Sequence, residues 1–201
     1  MWQKILGGII KLPVFFRSKI IIIFTMALLC TFPAYAQEAL WNELNSKVIK
    51  FYQQDQYPEA ISAGNEALKV AEETFGPEHP KVATSLNNLA LIYKAQGKYA
   101  AAEDFYKHAL TILEKALGAD NPKVGTALYN LAQLYHSQGK YVEAESMYKR
   151  ALEIDEKILS PEHPDVALSL NNLALLYSDQ ERYDEAESLY KRVLTILEKS
   201  L

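Results

Sequence analysis

Three asparagines, Asn88, Asn130 and Asn172, stand 42 residues apart, each among side chains able to meet a ligand. A carboxamide donates and accepts at once, so it matches the N–H and C=O of a peptide unit. Asparagine is also a mediocre helix former, so its return at one place in what reads as helix calls for a reason. Beside the three run Thr84, Asn87, Leu91 and Lys94, then Thr126, Tyr129, Gln133 and His136, then Leu168, Asn171, Leu175 and Ser178. One hydrogen bond contributes only about 0.5–1.5 kcal/mol net, so recognition needs several together. The competing reading is structural, with each amide bonding the neighbouring copy and fixing its stacking. Both readings stay open, and both can hold at once.

The remaining reactive residues do not form a catalytic set. His79 and His163 occupy the same turn slot two copies apart, with four helix layers of about 8–10 Å each between them. They cannot share a metal, and they read as loop or capping residues. There is no glycine-rich phosphate loop and no HExxH pattern. Glu103 with Lys107 and Glu145 with Lys149 are i, i+4 pairs of a solvated helix face. The expectation is a protein that is not an enzyme and uses no cofactor and no metal.

The elements that carry these residues repeat with the same period. Lys81 to Pro122 is rewritten as Lys123 to Pro164, a third copy opens at Asp165 and runs to Leu201, and a looser one spans about 39–80. Self-similarity at a fixed period marks a stacked repeat array. Within a copy, Leu86, Leu89, Ala90 and Tyr93 fall at i, i+3, i+4 and i+7, one face of a helix. Ala102, Tyr106, Ala109 and Leu110 do the same in a second helix. Helical pairs are expected over 39–54 with 57–75, 81–96 with 99–117, 123–138 with 141–159, and 165–180 with 183–200, eight helices in all. Gly97 and Gly139 follow the first helix of their pairs, where a left-handed residue commonly closes a helix. Asp55 and Glu181 hold that place in the outer copies, so those turns are expected to be less favourable. Pro80, Pro122 and Pro164 sit where a first helical residue belongs.

The pattern LxxLAxxY followed by AxxxYxxA resembles the tetratricopeptide repeat, and the 42-residue period with NNLA is similar to the kinesin-light-chain-like subclass. The resemblance covers nearly all of 39–201. It implies an all-α, right-handed superhelical solenoid, with the first helix of each pair lining a concave groove that binds peptides or protein segments. On that implication the groove residues are Asn87, Asn88, Leu91, Lys94, Tyr129, Asn130, Gln133, Asn171, Asn172 and Leu175. A terminal carboxylate needs charged partners and Lys94 is nearly alone among them. The expected ligand is therefore read through its backbone and through apolar contacts at Leu91, Tyr129, Leu168 and Leu175.

The two ends differ from the middle. Residues 1–36 carry Lys4, Lys11, Arg17 and Lys19 with no acid, then an apolar run from Ile20 to Leu29 broken only by Thr25, then Ala34-Tyr35-Ala36. This is the order of a secretory signal peptide, cut after Ala36, and its apolar core is about half the roughly 20 residues a membrane span needs. Lipidation at Cys30 and an uncleaved anchor are the alternatives, the first opposed by bulky Leu29. Removing 1–36 leaves 17 Lys and Arg against 25 Asp and Glu, a net charge of −8, and no cysteine. An exported, periplasmic or secreted protein is expected, without a membrane span in its mature chain. An acidic chain with no basic run argues against nucleic acid. The units are then 1–36, an atypical 37–80 with Lys47, Val48 and Gly64 in place of Leu, Ala and Tyr, and 81–122, 123–164 and 165–201. Leu189, Ile196 and Leu197 are expected to leave an apolar flank on the last helix. That flank supports either self-association as a structural unit of the envelope or a longer array.

Overall fold

The computed structural model describes residues 35–200. Most of the expected leader lies outside them. Eight helices follow one another among the described residues: α1 (35–53), α2 (Tyr57–Phe75), α3 (Pro80–Ala95), α4 (Tyr99–Leu117), α5 (Pro122–Ser137), α6 (Tyr141–Leu159), α7 (Pro164–Asp179) and α8 (Tyr183–Ser200). Each helix packs on the next, which makes a solenoid of four antiparallel pairs, as the all-α reading requires.

The boundaries follow from local chemistry. Pro80, Pro122 and Pro164 open α3, α5 and α7, where a missing amide proton costs nothing. Before each proline a side chain caps the helix by accepting an orphan backbone N–H. His79 Nδ1 accepts from Lys81 at 3.1 Å, Asn121 Oδ1 from Lys123 at 3.0 Å, and His163 Nδ1 from Asp165 at 3.1 Å. The two turn histidines are thus caps, with Nδ1 unprotonated. Inside each pair the turn closes the same way: the amides of Gln56, Lys98, Lys140 and Arg182 each reach back five residues, at 2.9 Å. Gly97 and Gly139 take φ of 72° and 71° there, and Asp55 and Glu181 are held at 56° and 61°. Non-glycine residues in that region carry strain, so the outer turns form at a cost.

Small residues let the helices approach. Ala60, Ala102, Ala144 and Ala186 are buried at equivalent places early in the second helices, and Tyr106 and Tyr148 are buried one turn further on. At their position in α2 stands Gly64, whose missing Cβ would lie 2.7 Å from Leu89 Cδ2. The first pair is packed rather than loose: Val48 is buried with Ala60, Ala63 and Ile92, and of the three atypical residues Lys47, Val48 and Gly64 it is Lys47 that is exposed, paired with Glu43 at 2.8 Å. Buried Ser85 accepts the Trp41 indole N–H at 3.0 Å, and Ser169 donates to Asp155 at 2.6 Å, so these two buried hydroxyls are satisfied.

One expectation is corrected here. Ile196 is not part of an exposed flank. It is 3% exposed and packs on Val166, Ala167 and Leu170 of α7, because it sits on the side of α8 that faces its own pair. Leu189 is half-buried against the same layer, whereas Leu194 and Leu197 are exposed.

Candidate peptide-binding groove

The first helices α1, α3, α5 and α7 stand side by side, and their side chains bridge from one to the next. Asn88 Nδ2 donates to Asn45 Oδ1 at 2.8 Å, joining α3 to α1. Lys94 Nζ donates to Gln133 Oε1 at 3.1 Å, and Gln133 Nε2 donates to the Tyr129 hydroxyl at 2.8 Å, joining α3 to α5. His136 Nε2 lies 2.7 Å from Asp179 Oδ2, joining α5 to α7.

Between these bridges opens a depression of about 440 Å³, lined by Lys94 from α3, by Gln133, His136 and Ser137 from α5, by Tyr141 and Tyr148 from α6, and by Asn172, Leu175 and Asp179 from α7. A smaller one, of about 240 Å³, lies beside it and includes Tyr129, Leu168 and Ser169. Four of the expected residues, Lys94, Gln133, Asn172 and Leu175, therefore share one opening, and Tyr129 borders the next. Asn87, Asn88, Leu91, Asn130 and Asn171 line neither. All of these are half-buried except Asn171, which is exposed.

The three periodic asparagines do not behave alike. Asn88 bonds the neighbouring helix, while Asn172 turns back to its own Leu168 carbonyl at 2.7 Å. The side chain 43 positions before each is Asn45, Asn87 and Tyr129 in turn. A carboxamide meets Asn88, but Asn172 faces the slot of a phenol that Gln133 already engages. Asn87 Oδ1 is buried with no hydrogen-bond partner. The first member of the set ties α3 to α1; the third leaves its amide at the rim of the larger depression.

Electrostatics single out Lys94. Burial holds its ammonium below the usual lysine range, and the partner it does have is a neutral carboxamide. Burial raises the Tyr148 phenol well above its ordinary value, so that ring stays neutral. His136 packs edge-on against Tyr141 and Tyr148, at 6.0 and 6.5 Å between centroids. The opening thus offers one desolvated cation, amide donors and acceptors, an aromatic wall and the exposed Leu175 methyls. Tyr141, Tyr148, Ser137 and Asp179 were not expected in it. Tyr148 falls at the packing position of Tyr106 in the second helix, Tyr141 stands at the start of that helix, and Asp179 gains its meaning only from its place 43 residues after His136.

Among the described residues no group of His, Cys, Asp or Glu is placed to hold a metal ion, and no helix is long and apolar enough to cross a membrane.

A family model for the tetratricopeptide repeat matches the chain three times, over residues 43–115, 96–157 and 123–199. Solved structures share the fold. BtubC (BKLC) from P. vanneervenii is 27% identical with a TM-score of 0.74, over 82% of this chain and 65% of that one. The chain thus spans just under two thirds of BtubC. The nearly identical TPR-like repeats assigned to a kinesin light chain in Podosopora anserina are 26% identical with a TM-score of 0.71, over 80% of this chain and 76% of that one. Aspartyl phosphate phosphatase F from Bacillus subtilis, 17% identical with a TM-score of 0.69 over 83% of this chain and 41% of that one, shares the fold alone. A comparison with curated proteins finds no match.

Proposed function

The chain belongs to the tetratricopeptide repeat family, and from that premise we propose that it is a non-enzymatic, exported adaptor whose groove of first helices holds an extended segment of another protein. The observation that carries this reading is the shared opening of about 440 Å³ in which Lys94, Gln133, Asn172 and Leu175 converge from three successive first helices. Amides at its rim suit a ligand backbone, and Leu175 with the Tyr141 and Tyr148 rings suits one apolar ligand side chain. Such grooves gain affinity from burying a few anchors rather than from area alone.

The test is capture from an envelope extract of the source organism on immobilised residues 37–201, beside a Gln133→Ala, Leu175→Glu variant of unchanged helicity and melting. Partners held by the parent and lost by the variant support the groove. Equal capture by both proteins removes it as the binding site.

Export rests on the basic, apolar, small-residue order of residues 1–36. Mass spectrometry of the protein from its own cells tests it: a mature terminus at Gln37 is expected, and an intact leader on protein found in the cytosol contradicts it.

A further inference from the structure

One hydrogen-bonded relay in the groove has its direction fixed by chemistry. A lysine ammonium can only donate, so Lys94 Nζ commits Gln133 to present Oε1 to it, at 3.1 Å. The other end of that carboxamide is then Nε2, which can only donate, and it reaches the Tyr129 hydroxyl oxygen at 2.8 Å. The phenol is thereby an acceptor toward Gln133 and keeps its own proton. Among the described residues that proton has no acceptor. The Tyr129 ring is half-buried and packs edge-on against Tyr148, 5.7 Å between centroids, which fixes where the hydroxyl sits.

The fold does not call for this relay. Leu91 and Leu175 stand in the slot of Gln133 at the junctions on either side, and Asn87 and Asn171 stand in the slot of Tyr129. A leucine can neither donate nor accept, so the array forms the relay once. It lies across the two depressions, with Gln133 lining the larger and Tyr129 the smaller.

The smaller depression also sets the charge of what Tyr129 can meet. Asp155 and Asp165 line it together with the phenol. Ser169 donates to Asp155 and His163 Nδ1 lies 3.7 Å from Asp165, and among the described residues no Lys or Arg pairs with either carboxylate. An anionic acceptor on a ligand is opposed there by like charge. A main-chain carbonyl is a neutral and strong acceptor, and an extended segment carries one at every residue.

Resting on the groove as the binding site, we propose that Tyr129 is its specificity-determining donor, giving its hydroxyl proton to one main-chain carbonyl of the bound segment at the smaller depression. Lys94 and Gln133 are positioning residues that hold the phenol in that role. The same place rejects an acidic side chain.

The probe is a peptide selected from a random library on the purified protein, and its binding must be lost on Leu175→Glu, so that it reports the groove. Its main-chain carbonyls are replaced one at a time by thiocarbonyls, because sulfur accepts a hydrogen bond more weakly than oxygen. One replacement is expected to weaken binding to the parent about 3- to 10-fold. Tyr129→Phe should bind the unmodified peptide more weakly by a similar factor and show no further loss with that thiocarbonyl. Gln133→Glu separates positioning from bracing. Its carboxylate still accepts from Lys94, but it has no N–H for the phenol and takes the phenol's proton instead. The melting temperature is expected to hold while the peptide's affinity falls as it does in Tyr129→Phe. A Gln133→Glu protein that binds as tightly as the parent overturns the proposal, and so do thiocarbonyl losses that are equal on Tyr129→Phe and the parent. Either result leaves the groove reading standing; a library that yields no peptide dependent on Leu175 removes that reading and this inference with it.

Discussion

Tyr177 and Glu145 meet across a repeat junction, the phenol donating to Oε1 at 3.1 Å, and Tyr135 and Glu103 make the same bond one repeat earlier at 3.2 Å. A carboxylate shared among a phenol, a lysine of its own helix and a cation of the next repeat fixes the angle between successive pairs. That angle sets which first-helix side chains face each other in the groove. Each carboxylate also satisfies donors that would otherwise lie partly buried and unpaired.

This arrangement predicts an acid-dependent loss of stability. The Arg182 guanidinium, with Lys149 and Tyr177, holds the Glu145 carboxyl at about 2, against the opposing effect of partial burial. An unfolded glutamate titrates near about 4.3. Because the folded value is the lower one, the contribution is complete above about pH 4.3 and is lost as pH falls toward 2. Screening at a junction open to solvent keeps it to about 1 kcal/mol. Urea titrations at pH 6 and pH 3 should show the parent losing that much more than Glu145→Gln does; parallel losses would contradict the assignment.

Ser160 is predicted to be a correctable weakness. It takes φ 80° and ψ 148° at the turn where Gly76 and Gly118 take φ 89° and 86°, a region open essentially to glycine alone. Ser160→Gly should stabilise the protein by about 1 kcal/mol and raise its melting by about 2–4 °C. A melting temperature that stays level or drops would show that the turn relaxes around serine.

Ile196→Ala should behave as a core mutation. Its contacts with Val166, Ala167 and Leu170 are within its own pair, so truncation should cost about 2–4 kcal/mol in denaturant unfolding. Sedimentation velocity should record an unchanged species. A change in association at unaltered stability would return Ile196 to the outer surface.

The Trp41–Ser85 bond offers a double-mutant test of the first junction. Trp41→Phe deprives buried Ser85 of its donor and should cost about 1–3 kcal/mol. In the Ser85→Ala background the same change should cost measurably less, since no polar atom is left unpaired. Additive costs would mean that the indole acts by volume alone.

Much of this was legible in sequence, and the limits have physical causes. The period and the 3.6-residue spacing of Leu86, Leu89, Ala90 and Tyr93 were enough to place the helix pairs, because local propensity, proline position and packing all point the same way there. Periodicity alone could not say which equivalent residues bond. Asn88 and Asn172 share a slot, yet their contacts differ because the facing slot changes from Asn45 to Tyr129. Glu103 and Glu145 read as a solvated face paired with Lys107 and Lys149. The signal that they bridge repeats lay in Tyr135, Tyr177, Lys140 and Arg182 recurring with the same period. Ile196 was misplaced because a helix in a solenoid has two buried sides, one toward its own partner and one toward the next pair, and spacing does not distinguish them.

On the proposed function, the groove of first helices and not the convex side of the second helices is where a ligand is held. The most direct measurement places a photo-crosslinking amino acid at Leu175, 44% exposed in the larger opening, and separately at Val142, 80% exposed on α6, in the protein expressed in its own cells. A specific cross-linked partner is expected from position 175, lost on Gln133→Ala, and none from position 142. The same partner captured equally from both positions, or from 142 alone, would contradict it.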